Sequence, residues 1–322
     1  MGSTQATGTQ AKSTATGSRE TRAVALVGPA GTGKTSLAEA LLFACGAITR
    51  QGTVEAGTTV GDASPEARAR GGSTEINLAH FDFLGDHYAL VDVPGGAGFA
   101  ADGLASLQSA DLVVVVIDPA PERAALAEPM LRRLDELGVP HVIFVNKIEN
   151  ARAGSVRDLI VELQPMSREP LTLRQIPIRD GEHVTGYVDL ALERAYRYRP
   201  GAPSEIIEIP GAVTEREQAG RARLLETLAD FDDGLLEALL MDETPDQATI
   251  MADLADDTGG NKVVPVLFGS AITGGGVRRL LKLLRHEAPT PSAATERLGA
   301  GGGALHVFKI ANGGAMGRLA LG

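Results

Sequence analysis

Gly28-Pro29-Ala30-Gly31-Thr32-Gly33-Lys34-Thr35 fits the pattern G-x-x-x-x-G-K-[ST] at every position. It follows a short apolar run, Ala23 to Val27, and opens a stretch with helical patterning, Lys34 to Ala44. That is the context the chemistry needs. Glycines let successive backbone N–H groups turn inward onto phosphate oxygens, and a helix starting there adds the positive end of its dipole. Lys34 is the charge expected to neutralise the outer phosphates, and Thr35 the hydroxyl expected to ligate magnesium.

Outward from this loop, short apolar runs alternate with amphipathic stretches. Ala23 to Val27, Tyr88 to Val93, Leu112 to Ile117, His141 to Val145 and Val263 to Phe268 read as buried strands, rich in Val, Ile and Leu and bounded by Gly, Pro or Asp. Lys34 to Ala44, Pro121 to Leu137 and Gly276 to Glu287 read as helices between them. The alternation predicts an α/β fold, a mostly parallel sheet with helices on both faces, whose ligand binds beyond the carboxyl ends of the strands. Asp92 ends one of those strands and is followed by Val93-Pro94-Gly95. A carboxylate at a strand end beside a phosphate loop is the expected partner of magnesium, often through water.

From about Ala151 to Thr258 the alternation stops. Extended runs, Leu171 to Ile178 and Val184 to Leu190, precede a helical stripe of Leu224, Leu225, Leu228, Phe231, Leu235, Leu236, Leu239 and Leu240. That stripe reads as a packed helix face. Because a core-type strand returns at Val263, residues 151–258 are expected to be an α+β unit inserted into a body made of 21–150 and 259–288. Residues 1–20, rich in Ser, Thr, Gln, Gly and Ala, read as a disordered polar tail. The Pro, Ala and Gly stretch 289–304 reads as a linker, and 305–322 as the opening strands of an incomplete further domain.

The chain has 322 residues, 43% hydrophobic and 22% charged, the composition of an ordinary globular protein. With 30 basic and 41 acidic residues its net charge is -11, which argues against broad charge-driven binding to nucleic acid or anionic lipid. Cys45 is the only cysteine, so an intrachain disulfide is impossible and a cytoplasmic home is the simplest expectation. No apolar run approaches the roughly 20 residues of a membrane span. His80, His87, His141, His183, His286 and His306 share no metal-ligand spacing with one another or with Cys45.

Asn146-Lys147-Ile148-Glu149 follows the strand His141 to Val145, and Gly269-Ser270-Ala271 follows Val263 to Phe268. With the phosphate loop and Asp92-Val93-Pro94-Gly95, in this order, they resemble the five-motif set of the GTPases. The resemblance implies a carboxylate accepting from the guanine N–H groups, a Lys packed on the ring, and a backbone amide near Ala271 donating to the guanine oxygen. It narrows to elongation factor G and its paralogues. Gly61-Asp62 with Pro65-Glu66-Ala67-Arg68-Ala69-Arg70-Gly71 is similar to that family's first switch. Pro177-Ile178 and Val184-Thr185-Gly186-Tyr187-Val188-Asp189-Leu190 are similar to its inserted subdomain, and Val264 to Ala271 with Gly276-Val277 and Leu280-Leu281 continues as the family does. His306-Val307-Phe308-Lys309-Ile310 and Gly317-Arg318-Leu319 resemble the start of its second, β-barrel domain. The fold implied is a P-loop GTPase; the ligands implied are GTP and Mg2+. The partner implied is the ribosome, met by a monomer mainly through domains beyond this chain.

Three departures from the family bear on mechanism. Gly96 stands where translational GTPases carry the histidine that orients the attacking water, and Gln108 is too distant in the chain to be assumed a substitute. Glu149 replaces the guanine-reading aspartate, keeping the charge but moving its oxygens by a methylene. The switch threonine that ligates magnesium maps to Ser73 without a gap or to Thr74 with a one-residue slip, and either hydroxyl fits. The expected function is therefore a GTPase acting on the ribosome with weakened hydrolysis. The alternative is a GTP-dependent binding module that does not hydrolyse. An ATPase or kinase is disfavoured by the Asn-Lys-x-acid and Ser-Ala loops.

Overall fold

The computed structural model describes residues 20–61, 65–70, 72–96, 100–150, 156–199, 201–299, 307–312 and 318–321. The polar tail through residue 19, Asp62 and Gly71 of the switch, and residues 300–306 and 313–317 lie outside them.

The first half of the chain runs β1 (Thr21–Val27), α1 (Lys34–Ala44), α2 (Pro65–Arg70), β2 (Asn77–Phe83), β3 (Asp86–Asp92), α3 (Ala100–Ser109), β4 (Leu112–Ile117), α4 (Pro121–Ala124), α5 (Glu128–Leu137) and β5 (His141–Val145). It continues with α6 (Val156–Leu163), β6 (Leu171–Leu173), β7 (Gln175–Asp180), β8 (His183–Asp189), β9 (Arg194–Arg199) and β10 (Ala202–Ile207). Three helices, α7 (Gly211–Ala229), α8 (Asp233–Leu240) and α9 (Gln247–Gly259), precede β11 (Val264–Phe268), α10 (Val277–Glu287), α11 (Pro291–Arg297), β12 (Lys309–Asn312) and β13 (Arg318–Leu321).

Seven strands form one sheet in the order β2-β3-β1-β4-β5-β11-β6, all parallel except β2. Its central strands β4, β5 and β11 are buried on both sides, so they read as unbroken apolar runs. Side-chain alternation along β1 shows the layering. Val24 and Leu26 face α1 and α10, through Leu37, Leu41, Leu280 and Leu284, while Ala25 and Val27 face the layer holding Leu107, Leu131 and Leu134. The parallel α/β architecture expected from the alternation of strands and helices is the one observed.

Several elements differ from the sequence reading. β2, an antiparallel edge strand, has a half-exposed face and joins β3 through Leu84 and Gly85, both at positive φ (50° and 97°). Such a two-residue turn normally announces itself by Asn-Gly or Asp-Gly, and a leucine there gives no signal. The expected helix Pro121 to Leu137 is broken into α4, a 3-10 turn at Ala125–Ala127, and α5. Pro129 lacks an N–H and its ring excludes the carbonyl of the residue four before it, so the ladder cannot run through. The leucine stripe splits as well, because Asp232 caps a new helix by accepting from the Leu235 N–H (2.7 Å). Leu224, Leu225, Leu228 and Leu235 are core, but Phe231, Leu236 and Leu240 are exposed.

The inserted unit begins later than expected. β6 pairs in parallel with β11, and Val156, Leu159, Leu163 and Leu171 pack into the same core as β4 and β5. The extended run Leu171 to Ile178 is divided between two sheets at Arg174. Beyond it, β10-β9-β8-β7 form a separate antiparallel sheet covered by α7, α8 and α9 around Ile176, Val188, Leu190, Leu228, Ile250 and Leu254. Two buried ion pairs join this unit to α10: Arg174 with Glu287, bidentate at 2.6 and 3.0 Å, and Arg279 with Asp189 at 2.5 Å. Within the expected linker, α11 is an ordered helix, and Arg297 Nη2 donates to the carbonyls of Gln108 (3.1 Å) and Ala110 (2.6 Å). β12 and β13 form a two-stranded antiparallel ladder.

Candidate functional site

Because β1, β3, β4, β5 and β11 run parallel, their carboxyl ends lie on one side of the sheet, and each carries a candidate loop into the same region. The phosphate loop leaves β1 beside Asp92 on β3. Asn146 and Ser270 follow the neighbouring strands β5 and β11.

Gly28, Gly31 and Gly33 sit at φ 138°, 75° and 90°. A side chain at Gly28 would overlap the Val116 carbonyl, and one at Gly33 would overlap the Asn146 amide. The loop therefore requires glycine for left-handed backbone and close approach together. α1 starts at Lys34 with no side-chain cap and no acid in its first turn, which leaves its N-terminal amides and dipole directed at the loop.

Lys34 is buried, and its Nζ donates to the carbonyls of Gly28 (2.9 Å) and Pro29 (3.0 Å). Burial pushes its pKa below the ordinary lysine value, and the Asp92 carboxylate works in the opposite direction. Gly95 lies against this group, since a Cβ there would overlap Lys34 Nζ. Thr35 Oγ1 donates to Asp92 Oδ2 at 2.8 Å and lies 3.1 Å from Ser73 Oγ. Two hydroxyls and a carboxylate beside a lysine form the hard-oxygen donor set that suits Mg2+. Of the two switch candidates, Ser73 is the one whose hydroxyl reaches Thr35; no hydrogen bond joins Thr74 to this cluster among the described residues. No group of three or more His, Cys, Asp or Glu is positioned for a metal among the described residues.

Asn146 links the two halves of the site. Its Nδ2 donates to the Thr32 carbonyl and its Oδ1 accepts from the Ala271 N–H, both at 2.9 Å. The Ala271 amide, expected near the guanine oxygen, is thus held by Asn146. Lys147, at φ 61°, donates to the Gly31 carbonyl (2.5 Å) and to Asp118 (3.2 Å). Glu149 carries a buried Oε2 that meets no hydrogen-bond donor among the described residues. Ser270 is buried, and its Oγ accepts from the Thr273 N–H, fixing the turn after β11.

Two residues were missed from sequence. Asp118, at the end of β4, pairs with Lys147 and, at 3.5 Å, with Arg123, whose Nη2 approaches the Ala30 carbonyl at 3.5 Å. An acid closing a buried strand was the available signal, the same one that marks Asp92. Gly96 follows Gly95 and contributes no functional group. Gln108 lies at the end of α3, its carbonyl bound to Arg297 near the start of β1, on the opposite side of the sheet from the phosphate loop. It cannot stand in for a residue at position 96.

The profile of the elongation factor Tu GTP binding domain matches residues 19–290. An elongation factor G-like protein of Synechocystis sp. is 39% identical over 276 residues, 86% of this chain and 41% of that one. Elongation factor G 2 of Streptomyces coelicolor is 35% identical over 265 residues, 80% of this chain and 38% of that protein. A crystal structure of a protein from Thermus thermophilus superimposes with a TM-score of 0.83 at 31% identity, covering 94% of this chain and 45% of the other. The chain thus spans about two fifths of the length of the curated relatives. No described helix is long and apolar enough to cross a membrane. With the phosphate loop, the Thr35–Asp92 pair and the Asn146 bridge on parallel strand ends, and the family profile running across both the main body and the inserted unit, this chain belongs to the elongation factor Tu GTP-binding domain family, in its elongation factor G-like branch.

Proposed function

We propose that the chain is the GTP-binding part of an elongation factor G-like protein that works on the ribosome as a monomer and hydrolyses GTP weakly. The observation that carries the nucleotide reading is Asn146 holding the phosphate loop to the loop after β11, together with the Lys34–Thr35–Asp92–Ser73 cluster and the unpartnered Glu149 Oε2. The amides of residues 28–35 and Lys34 would bind and neutralise the phosphates, with Pro94 and Gly95 closing against them. Glu149 would accept from guanine N–H groups and Lys147 would pack on the ring. Thr35, Asp92 and Ser73 would hold Mg2+, which would supply positive charge to offset that of the phosphates. Competition of ATP against labelled GTP in Mg2+ tests the guanine assignment. A preference for GTP, weaker than in relatives carrying Asp at the Glu149 position, is expected, and equal affinity for the two would overturn it.

A second reading, a GTP-dependent module that binds without hydrolysing, is favoured by Gly96 alone, since glycine cannot orient water. Single-turnover hydrolysis with and without ribosomes separates the two. Slow but ribosome-stimulated turnover supports the GTPase, and none under either condition supports the binding module.

A further inference from the structure

Arg123 stands in α4, the short helix after β4, and its guanidinium lies against the phosphate loop. Nη2 is 3.5 Å from the Ala30 carbonyl, and a Cβ on Gly31 would come within 3.0 Å of the same atom. Ala30 marks the outer end of that loop. A Cβ on Gly95 would overlap Lys34 Nζ and fall 2.9 Å from the Ala30 nitrogen. The Ala30 amide, the Lys34 ammonium and Gly95 therefore meet at one place, where Lys34 is expected to take the outer phosphates. Arg123 stands on the carbonyl side of the same residue.

The charge of this guanidinium is only partly offset. Its one carboxylate partner among the described residues is Asp118, 3.5 Å from Nε, and Asp118 also faces Lys147 at 3.2 Å. One carboxylate thus serves two cations beside the loop. The Arg123 side chain is 44% exposed, whereas Arg174 and Arg279 are buried in close carboxylate pairs. Held by one long, solvent-exposed contact, Arg123 loses little by turning to a stronger anion.

On the guanine-nucleotide reading above, we propose that Arg123 binds the γ-phosphate of GTP and is the residue by which this site tells GTP from GDP. The inner phosphates have the loop amides and the α1 dipole to hold them. The γ-phosphate carries the most charge and reaches furthest from those amides, so a second cation counts most there. A guanidinium offers parallel donors that match two phosphate oxygens, which an ammonium such as Lys34 does not. Gly96 adds no polar side chain at that end of the site, which leaves the extra donors to α4.

The test titrates labelled GTP and labelled GDP separately, in Mg2+, against the full chain and three variants: Arg123→Ala, Arg123→Lys and Arg132→Ala. Arg132 is an exposed arginine of α5 paired with Glu128, and its loss controls for surface charge. Arg123→Ala is expected to weaken GTP binding by about tenfold or more, through loss of charge-assisted bonds. GDP binding should weaken by no more than about threefold, the effect of an exposed charge at longer range. Arg123→Lys keeps the charge without the fork and should recover part of the GTP loss. Arg132→Ala should match the parent for both nucleotides, and all three variants should melt with the parent. Equal losses for GTP and GDP would overturn the proposal and make Arg123 a support of the loop. GTP affinity of Arg123→Ala within about twofold of the parent would overturn it too, as would an equal GTP loss in Arg132→Ala. A parent that binds neither nucleotide would overturn the nucleotide reading as well. A parent that binds ATP as tightly as GTP, with the Arg123 effect intact, would overturn the guanine assignment alone and support the γ-phosphate contact.

Discussion

Replacing Asn146 by alanine isolates the bond system that joins the two halves of the nucleotide site. The side chain is 2% exposed, and its amide orientation is set by its partners, a carbonyl on one side and an N–H on the other. Alanine would leave the Thr32 carbonyl and the Ala271 N–H buried without their partner. Each orphaned group costs about 1–3 kcal/mol, so a loss of roughly 2–6 kcal/mol is expected. That is a large share of the 5–15 kcal/mol typical of a folded domain, yet small enough to leave a folded protein to measure. Asn146→Asp divides the effect, because a carboxylate still accepts from the Ala271 N–H but cannot donate to Thr32. Its cost should lie on the Thr32 side, where two acceptors now face each other. Nucleotide affinity should fall by about 30-fold or more in the alanine variant, the equivalent of roughly 2 kcal/mol. Urea denaturation and labelled-GTP titration read the two quantities separately. Stability within about 0.5 kcal/mol of the parent, together with affinity within about twofold, would show that the loops hold their positions without Asn146 and refute the reasoning.

Lys34→Ala should abolish measurable GTP binding by calorimetry while shifting the melting temperature little, since its amine is directed at backbone carbonyls rather than at the apolar core; unchanged affinity would move the site elsewhere. Gly96→His should raise the GTP hydrolysis rate, by about 10²–10⁴-fold if the imidazole orients water as general bases do, and Gly96→Glu should not; a histidine variant no faster than the parent would remove position 96 as the cause of slow turnover. Burial pushes the Asp111 carboxyl up to about 6, against the bond from the Ala23 N–H and the charge of Arg297. Its folded pKa therefore lies above its unfolded value, the folded state holds the extra proton, and stability from this group falls as pH rises through roughly 4 to 6. Asp111→Asn keeps an acceptor for Ala23 and should flatten that part of the urea-midpoint profile; an unchanged slope there would assign the pH dependence to other groups.

Much of this molecule is written in short segments. The phosphate loop was legible because glycine spacing, an apolar strand before it and a helix after it are all local, and the backbone geometry that needs those glycines is local too. The core strands β4 and β5 were legible to the residue, because burial on both faces leaves an unbroken apolar run with polar ends. What tertiary structure decided is what depends on residues far apart in the chain. Leu171 to Ile178 is one extended run by composition. Its division between two sheets at Arg174 follows from a carboxylate more than a hundred residues later, Glu287, which gives that guanidinium a buried partner. Ser73 and Thr74 offer the same hydroxyl, and only the register of the folded switch brings Ser73 to Thr35. Asp118 and Arg123 carry no motif, and they enter the site because β4 lies between β1 and β5. Side-chain chemistry and periodicity act over a few residues and can be read in order. Strand order, register and the pairing of buried charges are set by which surfaces exclude water together, and that is a property of the assembled fold.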